Sequence, residues 1–314
     1  MEGLTLAVDC GGGGVKAAAL DTNGTLVSKP RRFPLSYPLP PGALIGLVQE
    51  IAAAFPPAQR LTLGMPGMIR HGVVVHTPHY INRAGPGTKL DPALAEAWEA
   101  FDMRAELRHA IGLPSLVLND AELHGCGVVT GTGSELAITL GTGLGTALFD
   151  AGRLAPHLEV SHAPVRRGVT FDEFVGEKER LALGDPLWSR RVVKLLDLLF
   201  PVFWWDRCYV GGGNSRMITP AALARLPDHV VIVSNTAGLR GAVRAWSLAG
   251  PGPGPSPSQS PNPSPNPSQS PNPSPGPNPN PNPSPGPGPS PSPSQSPNPS
   301  PGPSQSPSPS PSPG

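Results

Sequence analysis

The sequence lacks several features that mark whole classes of proteins. Its 314 residues contain only three cysteines, Cys10, Cys126 and Cys208, which lie far apart and form no Cys-x-x-Cys pair. This odd, scattered set argues against a disulfide framework or a cysteine-based zinc cage, and it predicts a reducing, cytoplasmic location. No apolar run approaches the roughly 18 residues of a membrane-spanning helix, and the first residues show no basic leader, so we expect no membrane partner. The formal net charge of +1 gives no electrostatic reason to expect nucleic acid.

The last part of the chain has no charged or core-forming apolar residues. Residues 251–314 hold 28 of the 46 prolines, whereas all 45 Lys, Arg, Asp and Glu residues lie in residues 1–250. Frequent proline removes amide donors and favours extended polyproline II geometry, and a segment without apolar side chains has no core to form. We therefore predict a disordered low-complexity tail of Pro, Ser, Asn and Gly. A scaffold or wall-associated protein directed by this tail is an alternative for the whole chain.

The first 250 residues alternate short apolar strands with amphipathic stretches, which is typical of an α/β fold. Residues 4–10 and 15–20 predict two strands of a hairpin joined by glycines, and a third strand is expected near 25–28. The same pattern returns at 135–140 and 146–152, again around a glycine turn. This repeat predicts two α/β lobes that face each other across a central cleft.

The first glycine turn follows Asp9 and precedes Lys16, with Gly11, Gly12, Gly13 and Gly14 between them. Because glycine has no Cβ, backbone N–H groups in such a turn can approach an anion closely. Asp9 can hold a hydrated Mg²⁺ beside that anion, and Lys16 adds positive charge. An ordinary tight turn is the alternative.

Two further glycine runs follow later in the chain. In residues 140–146, LGTGLGT, the stretch after the glycines predicts a strand rather than the helix that a dinucleotide fingerprint requires, so a phosphate-binding hairpin turn fits better. The run Gly211-Gly212-Gly213 follows another predicted strand. It can pack flat against a purine ring or against the tail of a phosphate donor.

Polar residues stand between these turns. Asn119 and Asp120 end the predicted strand SLVL, and a carboxylate there can take a proton from a hydroxyl that attacks phosphorus. A helix-capping role for Asp120 is the alternative. Glu159 and His162 lie three positions apart and can bind adjacent sugar hydroxyls, or they form a polar surface turn.

The order of these motifs resembles the ROK family of sugar kinases. The resemblance covers residues 4–248, and the stretches 64–82, 154–162 and 164–184 place it near the polyphosphate glucokinase branch. It implies a two-lobed actin-like ATPase (ribonuclease H-like) fold, with lobes at 1–118 and 119–250 before the tail at 251–314.

The resemblance also implies a function. It predicts transfer of a terminal phosphoryl group from polyphosphate or ATP to the 6-hydroxyl of a hexose, most directly glucose, with Mg²⁺ as cofactor and a homodimeric assembly. It assigns the catalytic base to Asp120, and sugar binding to Asn119, Glu159, His162, His79 and Asn82. Phosphate binding falls to Asp9, Gly11, Gly12, Gly13, Lys16, Gly141, Thr142, Gly143 and Gly145, and the nucleotide side to Gly211, Gly212 and Gly213.

The sequence departs from the family pattern at several positions. Gly13 stands where the family often has Thr, His79 where many members have Asn, and Ser161 where the family has Gly. No cysteine lies in 163–207, so His162 has no partners for a zinc site. These departures leave a catalytically impaired sugar-binding protein as an alternative.

The donor is left open between polyphosphate and ATP. Polyphosphate needs a basic track from the catalytic centre, whereas ATP needs a purine pocket near the third glycine run. Candidates for the track, which alternatively form a solvated face, are Arg31, Arg32, Arg166, Arg167, Lys178, Arg180, Arg190, Arg191 and Lys194.

Overall fold

The structure is a computed structural model that describes residues 3–234 and 237–249. The predicted disordered tail at 251–314 lies outside the described residues. In chain order the strands are β1 (Thr5–Gly11), β2 (Gly14–Leu20), β3 (Arg31–Phe33), β4 (Arg60–Met65), β5 (Met68–Arg70), β6 (Val73–His76), β7 (Phe101–Asp102), β8 (Ser115–Asn119), β9 (Ser134–Leu140), β10 (Leu144–Asp150), β11 (Arg153–Leu154), β12 (Pro164–Arg166), β13 (Val169–Thr170), β14 (Arg207–Gly211) and β15 (Val230–Ile232). The helices are α1 (Pro41–Ala53), α2 (Pro92–Trp98), α3 (Met103–Ile111), α4 (Asp120–Cys126), α5 (Phe171–Val175), α6 (Glu177–Leu183), α7 (Asp185–Phe203), α8 (Pro220–Leu223) and α9 (Ala237–Leu248).

The first sheet has the strand order β3-β2-β1-β4-β8. β1 and β2 form an antiparallel hairpin in which Asp9 lies opposite Lys16 and Gly11 opposite Gly14. β4 runs parallel to β1, and β8 runs parallel to β4 with Asn119 beside Met65. Because the carboxyl ends of parallel strands share one edge of a sheet, the first glycine turn and Asn119 lie at the same edge.

The second sheet repeats this arrangement with the order β11-β10-β9-β14-β15. β9 and β10 form an antiparallel hairpin around the second glycine turn, with Leu140 opposite Leu144. β14 runs parallel to β9 and places Gly211 beside Thr139. The second and third glycine runs therefore share one edge, and the predicted α/β class with two glycine-hinged hairpins is confirmed.

Helix α4 joins the two halves, because it packs on β1 and β4 of the first sheet, on β9 and β10 of the second, and on α9. The approach of α4 to α9 is possible only without side chains at the crossing. A Cβ at Gly127 would overlap the carbonyl of Ala237, and a Cβ at Gly241 would overlap the carbonyl of Leu123. Although α9 comes late in the chain, it also packs against β1, β2 and β4. The division into lobes at residue 118 stays a prediction.

The third strand predicted near 25–28 is wrong, because the strand lies at Arg31–Phe33 instead. Residues 25–28 contribute only an isolated bridge between Leu20 and Leu26. The Ser28 hydroxyl accepts the N–H of Ala19 at 3.0 Å, and the Asp21 carboxylate accepts the N–H of Thr25 at 2.8 Å. Two backbone bonds remain, from Val27 to Ala19 at 3.0 Å and from Asp21 to Thr25 at 2.9 Å, and the side-chain bonds of Ser28 and Asp21 take the place of a longer ladder.

Candidate active site

A cleft of about 1450 Å³ lies where the glycine-bearing edges of the two sheets meet. Asn82 and Gly211 do not line it: the Asn82 amide donates to the carbonyl of Pro78 at 2.7 Å, and Gly211 lies beneath the ring of His124. The other predicted site residues come together in its walls: Asp9, Gly11, Gly12, Gly13, Lys16, His79, Asn119, Asp120, Gly141, Thr142, Gly143, Gly145, Glu159, His162, Gly212 and Gly213.

The first glycine turn is fixed from one side. The Tyr37 hydroxyl donates to the carbonyl of Gly12 at 2.6 Å. A Cβ at Gly12 would lie 2.5 Å from Cγ of Pro86 and 2.9 Å from Nδ1 of His79, so this position requires glycine. At Gly13, by contrast, a Cβ would meet nothing within 4 Å. The turn therefore keeps its shape through Gly12 and leaves open space at Gly13.

Asp9 lies in the cleft wall with its Oδ2 3.8 Å from Nζ of Lys16. Burial raises the pKa of its carboxyl, and the positive charges of Lys16 and Arg32 offset part of that rise. A partly desolvated carboxylate beside an amide-lined turn favours a nearby cation.

Asn119 and Asp120 begin α4 in a fixed geometry. Asn119 is the N-cap, and its Oδ1 accepts the N–H of Ala121 at 2.8 Å while its Nδ2 donates to the carbonyl of Gly67 at 2.9 Å. The Glu122 carboxylate accepts the N–H of Asn119 at 2.9 Å, which completes a capping box. The alternative interpretation made Asp120 the cap of this helix. Asn119 is the cap instead, and Asp120 lines the cleft.

The electrostatic setting of Asp120 suits a general base. Burial, followed by the negative charge of Asp9, raises the pKa of Asp120 to about 7, against a smaller opposing effect from the N–H of Ala121. Glu159 adds to the rise, and His157 opposes it. A carboxyl group that titrates near neutral pH can both accept and hold a proton during a reaction.

Glu159 is held by two neighbours. Its Oε1 accepts the hydroxyl of Ser161 at 2.6 Å, and its Oε2 lies 3.4 Å from Nε2 of His157. Burial acts to raise the pKa of Glu159, but the hydrogen bonds from His157 and Ser161 outweigh it and hold that pKa below its usual value. Glu159 is therefore a fixed acceptor on the cleft wall.

The second glycine turn is tied to the segment that follows it. The N–H of Leu144 donates to the carboxylate of Asp172 at 2.8 Å, and the N–H of Glu177 donates to the carbonyl of Thr142 at 3.1 Å. A Cβ at Gly143 would overlap the carboxylate of Asp172. The turn is thus shaped by α5 and α6 as well as by its own glycines.

The third glycine run is joined to the second turn through Asn214. Its Nδ2 donates to the carbonyl of Gly141 at 3.0 Å and to the carboxylate of Glu177 at 2.6 Å. Gly212, at φ +87°, packs directly against the backbone of Leu140. The second and third runs therefore form one continuous wall.

Comparisons with known proteins agree with this geometry. No protein-family model matches the chain. A polyphosphate glucokinase from Mycobacterium tuberculosis is 28% identical over 250 residues, which cover 76% of this chain and 89% of that protein. The crystal structure of an inorganic polyphosphate/ATP-glucomannokinase from Arthrobacter sp. strain KM superposes with a TM-score of 0.65 at 27% identity and covers 79% of this chain and 99% of that one. The chain is similar in sequence to polyphosphate glucokinases and in fold to ROK sugar kinases.

A second solved structure supports this fold. A ROK family glucokinase from Streptomyces griseus, in complex with glucose and AMPPNP, has a TM-score of 0.60 and 18% identity and covers 78% of this chain and 99% of that one. At this identity the likeness bears on the fold alone.

Only part of the predicted basic track faces the cleft. Among the candidates, Arg180 is bound to Glu177 at 2.9 Å and to Asp185 at 2.7 Å, and Arg191 is bound to Glu179 at 2.8 Å. The Lys and Arg residues that line the cleft are Lys16, Arg32, Arg166, Lys178 and Arg191; the carboxylates are Asp9, Asp120, Glu159, Asp172, Glu173, Glu177 and Glu179. Five cationic and seven acidic side chains leave no excess of positive charge for a polyanion.

The sequence interpretation missed four residues: Asp172 and His124, which line the cleft, and Asn214 and His157, which support its wall. Asp172 and Asn214 hold the second and third glycine runs, and His124 lies against Gly211 with its Nε2 buried and without a hydrogen-bond partner. Burial, with a contribution from Lys16, lowers the pKa of His124 to about 4, so its ring is neutral. His157 lies behind Glu159. The polar spacing in the stretch PHLEVSH was the only sequence signal for His157.

Within residues 3–234 and 237–249, no group of three or more His, Cys, Asp and Glu side chains is arranged to hold a metal ion. In the same ranges no helix is long and apolar enough to cross a membrane.

Proposed function

We propose that the protein transfers the terminal phosphoryl group of polyphosphate or ATP to the 6-hydroxyl of a hexose, most directly glucose. The observation that carries this proposal is Asp120, which lines the cleft beside Asp9 and between the glycine turns with a pKa of about 7. The names of the similar proteins, polyphosphate glucokinase and polyphosphate/ATP-glucomannokinase, support a sugar acceptor and either donor.

In this proposal the hexose lies against the wall that carries Glu159 and His162. Glu159 is a fixed acceptor for sugar hydroxyls, and the exposed ring of His162 lies in the same wall. Asp120 accepts the proton of the attacking hydroxyl as that oxygen forms its bond to phosphorus, and the bond from phosphorus to the leaving phosphate oxygen breaks. Positioned base catalysis of this kind contributes about 10²- to 10⁴-fold in rate.

The phosphates of the donor lie between the first and second glycine turns. Backbone N–H groups at Gly13 and Thr142 have open space around them, because a Cβ at Gly13 would meet nothing within 4 Å and Thr142 is exposed. Such N–H groups can stabilise the negative charge of the transferred group without rearrangement.

The chain also fits a Mg²⁺ ion. Asp9 is a carboxylate held in the cleft wall with a raised pKa, and the acidic side chains of the lining outnumber the cationic ones. A hydrated Mg²⁺ near Asp9 would neutralise donor phosphates that this lining could not neutralise alone.

Different residues of the cleft would bind polyphosphate and ATP, so an experiment can distinguish the two donors. Arg32, Arg166 and Lys178 line the cleft and supply charge for a polyphosphate chain, whereas Gly212 and Gly213 supply a flat wall for a purine. Turnover with long polyphosphate should fall more steeply with salt than turnover with ATP, since more screened charges take part.

The alternative of an impaired sugar-binding protein is not favoured. Replacement of the family's threonine by Gly13 removes a hydroxyl, but it leaves the backbone N–H groups and the shape set by Gly12. The tail-directed scaffold also gains no support, because the similar proteins are named as glucokinases and the similarity covers 76% of this chain.

The proposal is tested by assaying the purified full chain against polyphosphate and ATP, each with glucose, mannose and glucosamine. We expect hexose 6-phosphate, detected by a coupled dehydrogenase or by ³¹P NMR, with at least one donor in the presence of Mg²⁺. No transfer from either donor to any of the sugars would refute it. A homodimer, a cytoplasmic location and the lack of nucleic-acid or membrane partners stay predictions; light scattering tests the first.

A further inference from the structure

His157 lies between two carboxylates that belong to different parts of the site. Its Nδ1 is 3.5 Å from Oε1 of Glu122, and its Nε2 is 3.4 Å from Oε2 of Glu159. The His157 side chain is only 2% exposed, and that of Glu122 only 5%. Its backbone is also fixed, because Arg70 donates to the carbonyl of His157 at 3.3 Å.

The two carboxylates have separate tasks. Glu122 closes the capping box of α4 by accepting the N–H of Asn119, so it helps to fix the helix start that carries Asp120. Glu159 faces the cleft and, in the proposed function, accepts hydroxyls of the sugar. His157 is the side chain that contacts both, and it therefore connects the base to the sugar-binding wall.

The charge of His157 follows from these neighbours. A neutral imidazole carries one N–H and can donate to one carboxylate only, whereas the imidazolium can donate to both. Burial acts to lower the pKa of His157, but the two adjacent carboxylates, Glu122 and Glu159, outweigh it and raise the pKa to about 9. At neutral pH the side chain is an imidazolium that balances the buried carboxylate of Glu122 and the partly buried carboxylate of Glu159.

We propose that His157 is a positioning residue. It holds the carboxylate of Glu159 at a fixed distance from the start of α4, and so sets the distance between the bound sugar and Asp120. This role rests on the proposed function, because it assigns Glu159 to the sugar. His157 touches neither the sugar nor the donor and acts through the two carboxylates.

The test compares the wild-type full chain with His157→Gln and with the matched control His109→Gln, whose side chain is exposed on α3. Glutamine can bond to one carboxylate but carries no charge. We expect His157→Gln to reduce kcat/KM for glucose by about 10- to 100-fold, mainly through KM, since a misplaced binding group costs up to about 10²-fold. Glucose binding measured by calorimetry without donor should weaken in parallel, and His109→Gln should match the wild type.

Two further readouts separate positioning from mere stability. The charged groups that act on the pKa of Asp120 are Asp9, Glu159 and His157. The titratable side chains of Cys10 and Tyr80 also lie near Asp120, and burial raises the pKa of both. Loss of the His157 charge should therefore move the acid limb of kcat/KM to higher pH. When Glu122→Gln is added to His157→Gln, kcat/KM for glucose should fall little further, because the connection from Glu122 through His157 to Glu159 is already lost.

The results separate the positioning role of His157 from the proposed function. A His157→Gln protein that is active with unchanged KM and unchanged acid limb overturns the positioning role and leaves the proposed function intact. A wild-type protein that neither binds nor phosphorylates a hexose refutes both. If His157→Gln does not fold, ¹⁵N NMR of the wild type at pH 8 decides: a buried imidazole protonated on both nitrogens supports the role, and a neutral one overturns it.

Discussion

Replacement of the base should make the folded protein more stable while it removes activity. Burial and the charge of Asp9 raise the pKa of Asp120 from its ordinary value of 3.8 to about 7. The folded chain therefore holds this proton more tightly than the unfolded chain, and the ionised carboxylate destabilises the fold as pH rises from about 4 to about 7. Asp120→Asn keeps a neutral side chain of the same shape, so the penalty disappears.

The magnitude follows from the size of the shift. A shift of about three pKa units corresponds to about 4 kcal/mol, which is an upper bound because water reaches the side chain in the cleft. We expect Asp120→Asn to raise the free energy of unfolding at pH 8 by roughly 1–4 kcal/mol, and to raise it much less at pH 4.

Urea denaturation followed by tryptophan fluorescence measures this difference at both pH values. The matched control is Asp228→Asn, because the side chain of Asp228 is exposed in a loop. This variant should leave the free energy of unfolding nearly unchanged at both pH values. The reasoning is refuted if Asp120→Asn is no more stable than the wild type at pH 8, or if its gain is the same at pH 4 and pH 8.

Three further predictions follow from the same geometry. Below the pKa of Asp120, about 7, kcat/KM for glucose should fall toward tenfold per pH unit, and a flat profile between pH 5 and 8 would contradict the base assignment. Gly13→Thr should fold and keep its kcat within a few-fold, because a Cβ at residue 13 meets nothing within 4 Å. Gly12→Thr should raise the KM for the donor by about tenfold or more, because its side chain clashes with Pro86 and His79. Equal donor kinetics for the two variants would show that the turn is not held as described. Gly241→Ala should lower the free energy of unfolding by about 1–3 kcal/mol, because its Cβ meets backbone atoms of α4. The control Gly46→Ala, where a Cβ on α1 meets nothing within 4 Å, should leave the free energy of unfolding unchanged or raise it by up to about 1 kcal/mol. Comparable urea midpoints for the two variants would contradict the tight crossing of α4 and α9.

The local features of the fold could be predicted from the sequence. The hairpins around the first two glycine turns depend on short apolar runs and on glycine, and both signals lie within a few residues. The same holds for Asn119 at the start of α4, where a strand ends in polar residues. The strand predicted near 25–28 is wrong because side-chain bonds of Ser28 and Asp21 occupy backbone N–H groups there, and the spacing of apolar residues does not indicate such bonds.

Contacts between distant segments could not be predicted in the same way. Asp172 reaches the second glycine turn across 28 residues, and the Tyr37 hydroxyl reaches Gly12 across 25. His157 is a similar case, since Glu122 comes to it from a different part of the chain. Sequence spacing identifies groups that lie on one turn, but it does not show which side chain from elsewhere completes the site.

The most direct measurement of the central claim is the kcat for hexose phosphorylation by Asp120→Asn at saturating glucose and donor, beside its glucose affinity. If Asp120 takes the hydroxyl proton, kcat falls by at least about 10²-fold while the affinity for glucose stays within a few-fold of the wild type. A variant that retains the wild-type kcat would show that the proton leaves by another route and that the cleft works differently.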